Sequence, residues 1–124
     1  VIPRRLPRPA MLAWLAMFAA IALGSLLPVG DLPPPAFDGI DKLEHLAGYA
    51  LLSGWSVMLF ERRDARLRAM LTAIAFGVAV EIAQGLLTET REPDVLDVLA
   101  NSIGALLGQL LAFTPLAGRL RARA

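Results

Sequence analysis

A single histidine among several carboxylates is the part of this sequence best equipped for chemistry. His45 follows Asp41 by four residues and precedes Tyr49 by four, so on a helix the three stack on one face. Glu81 and Gln84 are three apart, and Asp94, Asp97 and Asn101 step by three and four after Arg91. Histidine with carboxylates suits general acid–base work. In that role His45 moves the proton, Asp41 orients it, and Glu81 is a second acid–base group whose pKa is raised by burial. Tyr49, Gln84, Asp97 and Asn101 complete the expected catalytic set, with Asp97 and Asn101 positioning substrate. Lys42, Arg91 and Asp94 are the expected substrate-binding residues at the rim, the two cations holding anionic groups. The chain has no Cys and no Gly-x-Ser-x-Gly nucleophile motif. His45, Glu81, Asp94 and Asp97 would offer a metal an oxygen-rich set with one nitrogen. No local ligand motif spells such a site, so neither a metal nor a cofactor follows from the spacing.

Each of these residues also has a plainer role. Asp41 and Asp94 are good helix N-caps, and Asp41 with Glu44 and Asp94 with Asp97 have capping-box spacing. Arg91 suits a lipid headgroup, and Trp14 and Trp55 suit packing or a lipid-facing position. Glu81 resists such treatment most, because a carboxylate inside an apolar run is costly unless it faces a cavity.

The elements that must position these residues are membrane helices. Of the 124 residues, 56% are apolar without counting Gly, and 19% are charged. Soluble domains sit near about 45–50% apolar with Gly included, and about 25% charged. A chain this short cannot bury the excess, which excludes a soluble monomer and a disordered chain. A net charge of +1 gives no field for nucleic acid. Four apolar runs read as spans: 10–29, 43–60, 67–87 and 95–113. At 1.5 Å per residue each covers roughly 27–32 Å, enough for a bilayer core. The first run exceeds a signal-peptide core and is expected to stay as a helix. Pro28 and Pro33-Pro34-Pro35 break the first connection, and Thr114-Pro115 ends the fourth helix. The expected fold is therefore an all-α four-helix transmembrane bundle forming one domain over residues 1–124.

Ten of the twelve Lys and Arg lie before span one, between spans two and three or at the very start of span three, or after span four. The positive-inside rule then puts both termini in the cytoplasm. The loops at 30–42 and 88–94 face outward. Counted from the outer ends, Glu81, Tyr49 and Asn101 each lie six residues down, about 9 Å. His45, Gln84 and Asp97 form a shallower layer, with Asp41, Lys42, Arg91 and Asp94 at the rim. The stripe on span four continues into Gly104 and Gly108, a spacing that lets helices approach closely. The polar stripes are expected to meet around an outward-facing cavity, with nothing comparable in the inner half.

The full pattern is Asp41-Lys42-x-x-His45-x-x-x-Tyr49, Glu81-x-x-Gln84, and Arg91-x-x-Asp94-x-x-Asp97-x-x-x-Asn101-x-x-Gly104-x-x-x-Gly108. It resembles the VanZ-like family of small bacterial membrane proteins, over about residues 10–113. The resemblance implies a multi-pass envelope protein whose prototype is associated with teicoplanin resistance. Three readings follow. One is a membrane-embedded hydrolase or transferase acting on a lipid-linked or lipoglycopeptide-like amphiphile. Another is a module that binds a lipid or antibiotic without reacting it. The third is a proton- or ion-coupled carrier, which a polar residue deep in the inner half would support. The expected partner in each is a membrane lipid or amphipathic envelope molecule, or an ion, and no nucleic acid.

Overall fold

The computed structural model describes residues 8–27, 39–88, 94–116 and 119. Arg91, and the breaks expected at Pro28 and Pro33-Pro34-Pro35, lie outside the described residues. The chain is an all-α four-helix bundle: α1 Arg8–Leu26, α2 Ile40–Leu59, α3 Arg63–Leu87 and α4 Val95–Gln109. A 3-10 turn, Leu110–Phe113, extends α4 before extended Thr114 precedes Pro115, a residue that disfavours helix in its predecessor. Three helices are long and apolar enough to cross a membrane: α1, α3 and α4 with its extension. The second expected span forms α2. It is less apolar because Asp41, Lys42, Glu44 and His45 crowd its start and two serines sit further along.

The packing is inverted relative to a soluble domain. Leu12, Leu23, Leu71, Ile82, Leu99 and Leu106 are exposed, while Ser53, Ser56, Glu81, Gln84, Asp97 and Asn101 are buried. Such an exterior belongs in hydrocarbon, where small and polar residues make the helix contacts. α2 and α4 show this most directly. A Cβ on Gly104 would collide with the Leu46 carbonyl, and one on Gly108 with the Ala50 carbonyl. Gly108 is also so placed that its Cβ would lie 2.7 Å from the Gly54 nitrogen. The glycine stripe is a backbone-to-backbone contact, as the spacing predicts.

α1 is held by aromatic residues. The Trp14 indole donates to the Leu52 carbonyl of α2 at 2.9 Å. In return, Trp55 of α2 donates to the Ala10 carbonyl of α1 at 2.9 Å. Edge contacts from Trp14 to Phe18 and Phe60, and from Phe18 to Phe76, complete the latch. Both tryptophans pack, and both also bond across helices.

Two local expectations need correction. α2 begins one residue before Asp41, with Gly39 as its N-cap at φ 85° and no side-chain cap. Glycine reaches that φ without strain, so the Asp41–Glu44 box does not form and Asp41 sits in the first turn. At α4, Asp94 is the N-cap and accepts from the Leu96 amide at 2.8 Å. The reciprocal half of that box is not made by Asp97. The Asp94 amide donates instead to Glu81 Oε2 of α3 at 2.9 Å.

The half of the bundle away from His45 and Glu81 also differs from expectation. Ser53 and Ser56 are fully buried there, and Gln109 Nε2 donates to the Ser53 hydroxyl at 2.8 Å and to the Ser56 hydroxyl at 3.3 Å. In sequence these residues look like ordinary small or terminal helix positions. Their pairing arises because α2 and α4 lie close enough for one amide to reach both hydroxyls.

Candidate functional site

The site is built where the first turns of α2 and α4 meet the last turns of α3. His45 comes from α2, Glu81 from α3, and Asp97 and Asn101 from α4. One ligand-type atom from each of His45, Glu81 and Asp97 lies within 4.8 Å of the others. Glu81 is 3% exposed, so its carboxylate faces the bundle interior as its cost requires.

His45 is held by Asn101, not by Asp41. Its Nδ1 lies 2.8 Å from Asn101 Oδ1, so Nδ1 carries the proton and donates to the amide oxygen. Its Nε2 points at Asp97, 3.6 Å from Oδ2. The Asp41 carboxylate bonds Lys42 at 3.2 Å. Stacking on one helix face brought Asp41 and His45 to the same side, but α4 supplies the partner that orients the ring.

Lys42 ties the rim together. Its ammonium donates to Asp41, to Asp94 at 2.7 Å, and to Asp97 Oδ1. These use its three protons, so Lys42 staples α2 to the start of α4 and has no proton left for a substrate anion. The Lys42 ammonium holds the Asp94 carboxyl below the usual carboxylate range.

The deeper layer divides. Tyr49 is 2% exposed and Asn101 2%, and both lie against Gly77, where a Cβ would come within 2.9 Å of Asn101 Nδ2 and 3.2 Å of the Tyr49 hydroxyl. Gly77 therefore makes the room for the residues beneath Glu81. Gln84 serves another contact: its amide donates to the Ser25 carbonyl of α1 at 2.9 Å, anchoring α1 beside the site. The structure thus joins Lys42, His45, Glu81, Asp94, Asp97 and Asn101 into one network. It sets Tyr49 below them, Asp41 at the outer edge and Gln84 toward α1.

A groove runs from this network into the outer face of the bundle. Its cavity volume is about 390 Å³, and Val78, Ile82 and Leu86 of α3 wall one side. Val95 and Val98 of α4 wall the other, with Glu81 and Asp94 at its polar end. Sequence reading missed these walls, because an apolar residue lining a groove has the same pattern as one facing lipid.

The family model described as VanZ/LLP1 matches residues 14–117, which takes in most of α1, the other three helices and the whole network. The chain belongs to the VanZ/LLP1 family. No curated protein and no solved structure matches it significantly. Most described motif residues of this VanZ-family chain sit on the facing sides of α2, α3 and α4, while Gln84 turns to α1 and Asp41 lies at the edge. What the arrangement offers chemically is a histidine with a fixed tautomer, two buried carboxylates and an adjoining apolar groove.

Proposed function

We propose that this multi-pass VanZ-family protein resides in the bacterial inner membrane, takes an amphipathic, lipid-linked envelope molecule from the outer leaflet, and acts on its polar group by acid–base chemistry. The observation that carries the reading is the convergence of His45 and Asp97 on Glu81, which itself lines the polar end of an apolar groove. Val78, Ile82 and Val95 are exposed on the bundle exterior, so a chain leaves bilayer for groove without crossing water. Its polar group then meets Glu81. His45 or Glu81 takes a proton from an attacking water or hydroxyl and returns it to the leaving group. Asn101 keeps the ring in the tautomer that leaves Nε2 available. A lipoglycopeptide with an acyl chain belongs to the same chemical class, which is how a part in teicoplanin resistance would fit. Ten of twelve cations at three cytoplasmic joints support a site open to the outside.

The Gln109, Ser53 and Ser56 cluster favours a carrier as the second reading, since it puts polar groups in the inner half. It ranks lower because those groups satisfy one another, and backbone contact at Gly104 and Gly108 closes α2 on α4 between the two clusters.

The test is native mass spectrometry of the protein in nanodiscs, with chromatography of any released product. Val98→Trp, which fills the groove, should lose the amphiphile that copurifies with wild type. Glu81→Gln should keep the amphiphile and abolish product release. Equal retention by Val98→Trp would remove the groove from the reading. Undiminished product release by Glu81→Gln would remove the acid–base role, and retention without product from wild type would make the protein a binder.

A further inference from the structure

We propose that His45, Glu81 and Asp97 together bind one divalent cation of the zinc or manganese type. This deepens the reading above by naming what the same site uses, yet it stands on its own geometry. Each of the three side chains has one polar atom held by the protein and another left over. His45 Nδ1 is taken by Asn101, Glu81 Oε2 by the Asp94 amide, and Asp97 Oδ1 by Lys42. The atoms left over are His45 Nε2, Glu81 Oε1 and Asp97 Oδ2. Glu81 Oε1 is buried and has no hydrogen-bond partner among the described residues, though Glu81 is only 3% exposed. A buried carboxylate oxygen without a donor is costly.

At the His45–Asp97 edge, distance favours a larger cation over a shared proton. His45 Nε2 and Asp97 Oδ2 are 3.6 Å apart, beyond the roughly 2.7–3.2 Å that a shared proton spans. Two ligands on one ion, with bonds near about 2.1 Å, sit roughly 3–3.5 Å apart. One imidazole with two carboxylates suits zinc or manganese. The held atoms then act as an outer shell: Asn101 fixes the ring, and Lys42 and the Asp94 amide aim the carboxylates. Three protein ligands leave a position open, where the ion would polarise a substrate oxygen or a water.

The test uses the full, Strep-tagged chain in detergent, stripped with EDTA, exposed to ZnCl2 or MnCl2 and desalted. Wild type should retain one equivalent of at least one ion and melt at a higher temperature with it. His45 is the chain's single histidine, so ring nitrogen NMR reports this site alone. Zn2+ should shift Nε2 while Nδ1 stays protonated. Affinity should fall at least about 100-fold in Glu81→Gln and His45→Gln, and about 10–100-fold in Asn101→Ala. Asp64→Asn, at an exposed carboxylate remote in sequence from the site, should bind as wild type does. Retention of neither ion by wild type would overturn the proposal, as would retention undiminished in both Glu81→Gln and His45→Gln. Should those variants fail to fold, an unmoved Nε2 resonance in wild type under saturating Zn2+ decides against it. Lipid retention measured on the same samples separates failure of the cation site from failure of the groove.

Discussion

Lys42 shows how one residue can hold a polar site together. Its side chain is one-third exposed, yet it reaches three carboxylates on two elements. In Lys42→Met those carboxylates lose their shared donor and repel one another. The expected cost is about 1–2 kcal/mol, discounted for solvent at the rim, and read as a lower melting temperature. Lys42→Arg should recover only part of it, because a planar guanidinium cannot address three carboxylates arranged around a point. An unchanged melting temperature in Lys42→Met would show that water screens these carboxylates and that the staple is cosmetic. The residue beneath, His45, depends on Asn101 in the same way, which is why Asn101 belongs with the site although it has no acid–base chemistry of its own.

At the scale of elements, the α2–α4 contact positions the site. A single methyl group is enough to test it. Gly104→Ala and Gly108→Ala each put a Cβ into the carbonyl oxygen of Leu46 or Ala50, so the helices must separate. Overpacking of this kind costs about 1–3 kcal/mol, and the displacement should also weaken the His45–Asn101 bond one turn above. Gly24→Ala, on α1 with no described residue within 4 Å of the added methyl, should melt no lower than wild type, since Ala suits a helix interior better than Gly. Equal melting of all three variants would mean that the glycines do not carry the contact. α1 is fastened differently, by Trp14 and Trp55 bonding reciprocally across α1 and α2 and by Gln84 reaching Ser25. Its face otherwise looks outward, and Trp14 is its one buried side chain among the described residues.

The whole molecule has a hydrocarbon-seeking exterior and a polar interior concentrated at one end. Its orientation in the membrane can be tested on a chain that lacks Cys. Asp64→Cys, in the arginine-rich first turn of α3, should resist an impermeant maleimide in intact cells and react after permeabilisation. Thr88→Cys, at the far end of α3, should react from outside. Labelling in the opposite sense would turn the site toward the cytoplasm and change the leaflet from which an amphiphile is drawn. It would leave the bundle and its network as they are.

The sequence by itself determined the helical class, the four elements, the family and the end of the bundle where the buried acidic residues gather. Those properties follow from local hydropathy, from helical periodicity and from the cost of an ionisable group in hydrocarbon. Glu81 could be placed inside from its own sequence position, because no lipid-facing alternative was affordable. Tertiary structure decided the partners. Asp41 and His45 share a face, yet neighbours on one helix face are held about 5–6 Å apart between Cβ atoms, whereas glycines at 104 and 108 let another helix come closer. Asn101 therefore reaches His45, Lys42 is shared among carboxylates of α2 and α4, and the Asp94 amide finds Glu81 on α3. The Gln109, Ser53 and Ser56 cluster, the Gln84 bond to Ser25 and the groove walls from Val78 to Val98 were hidden for the same reason: the rotation and offset of one helix against another are set by how surfaces fit, and spacing along a single helix does not record them.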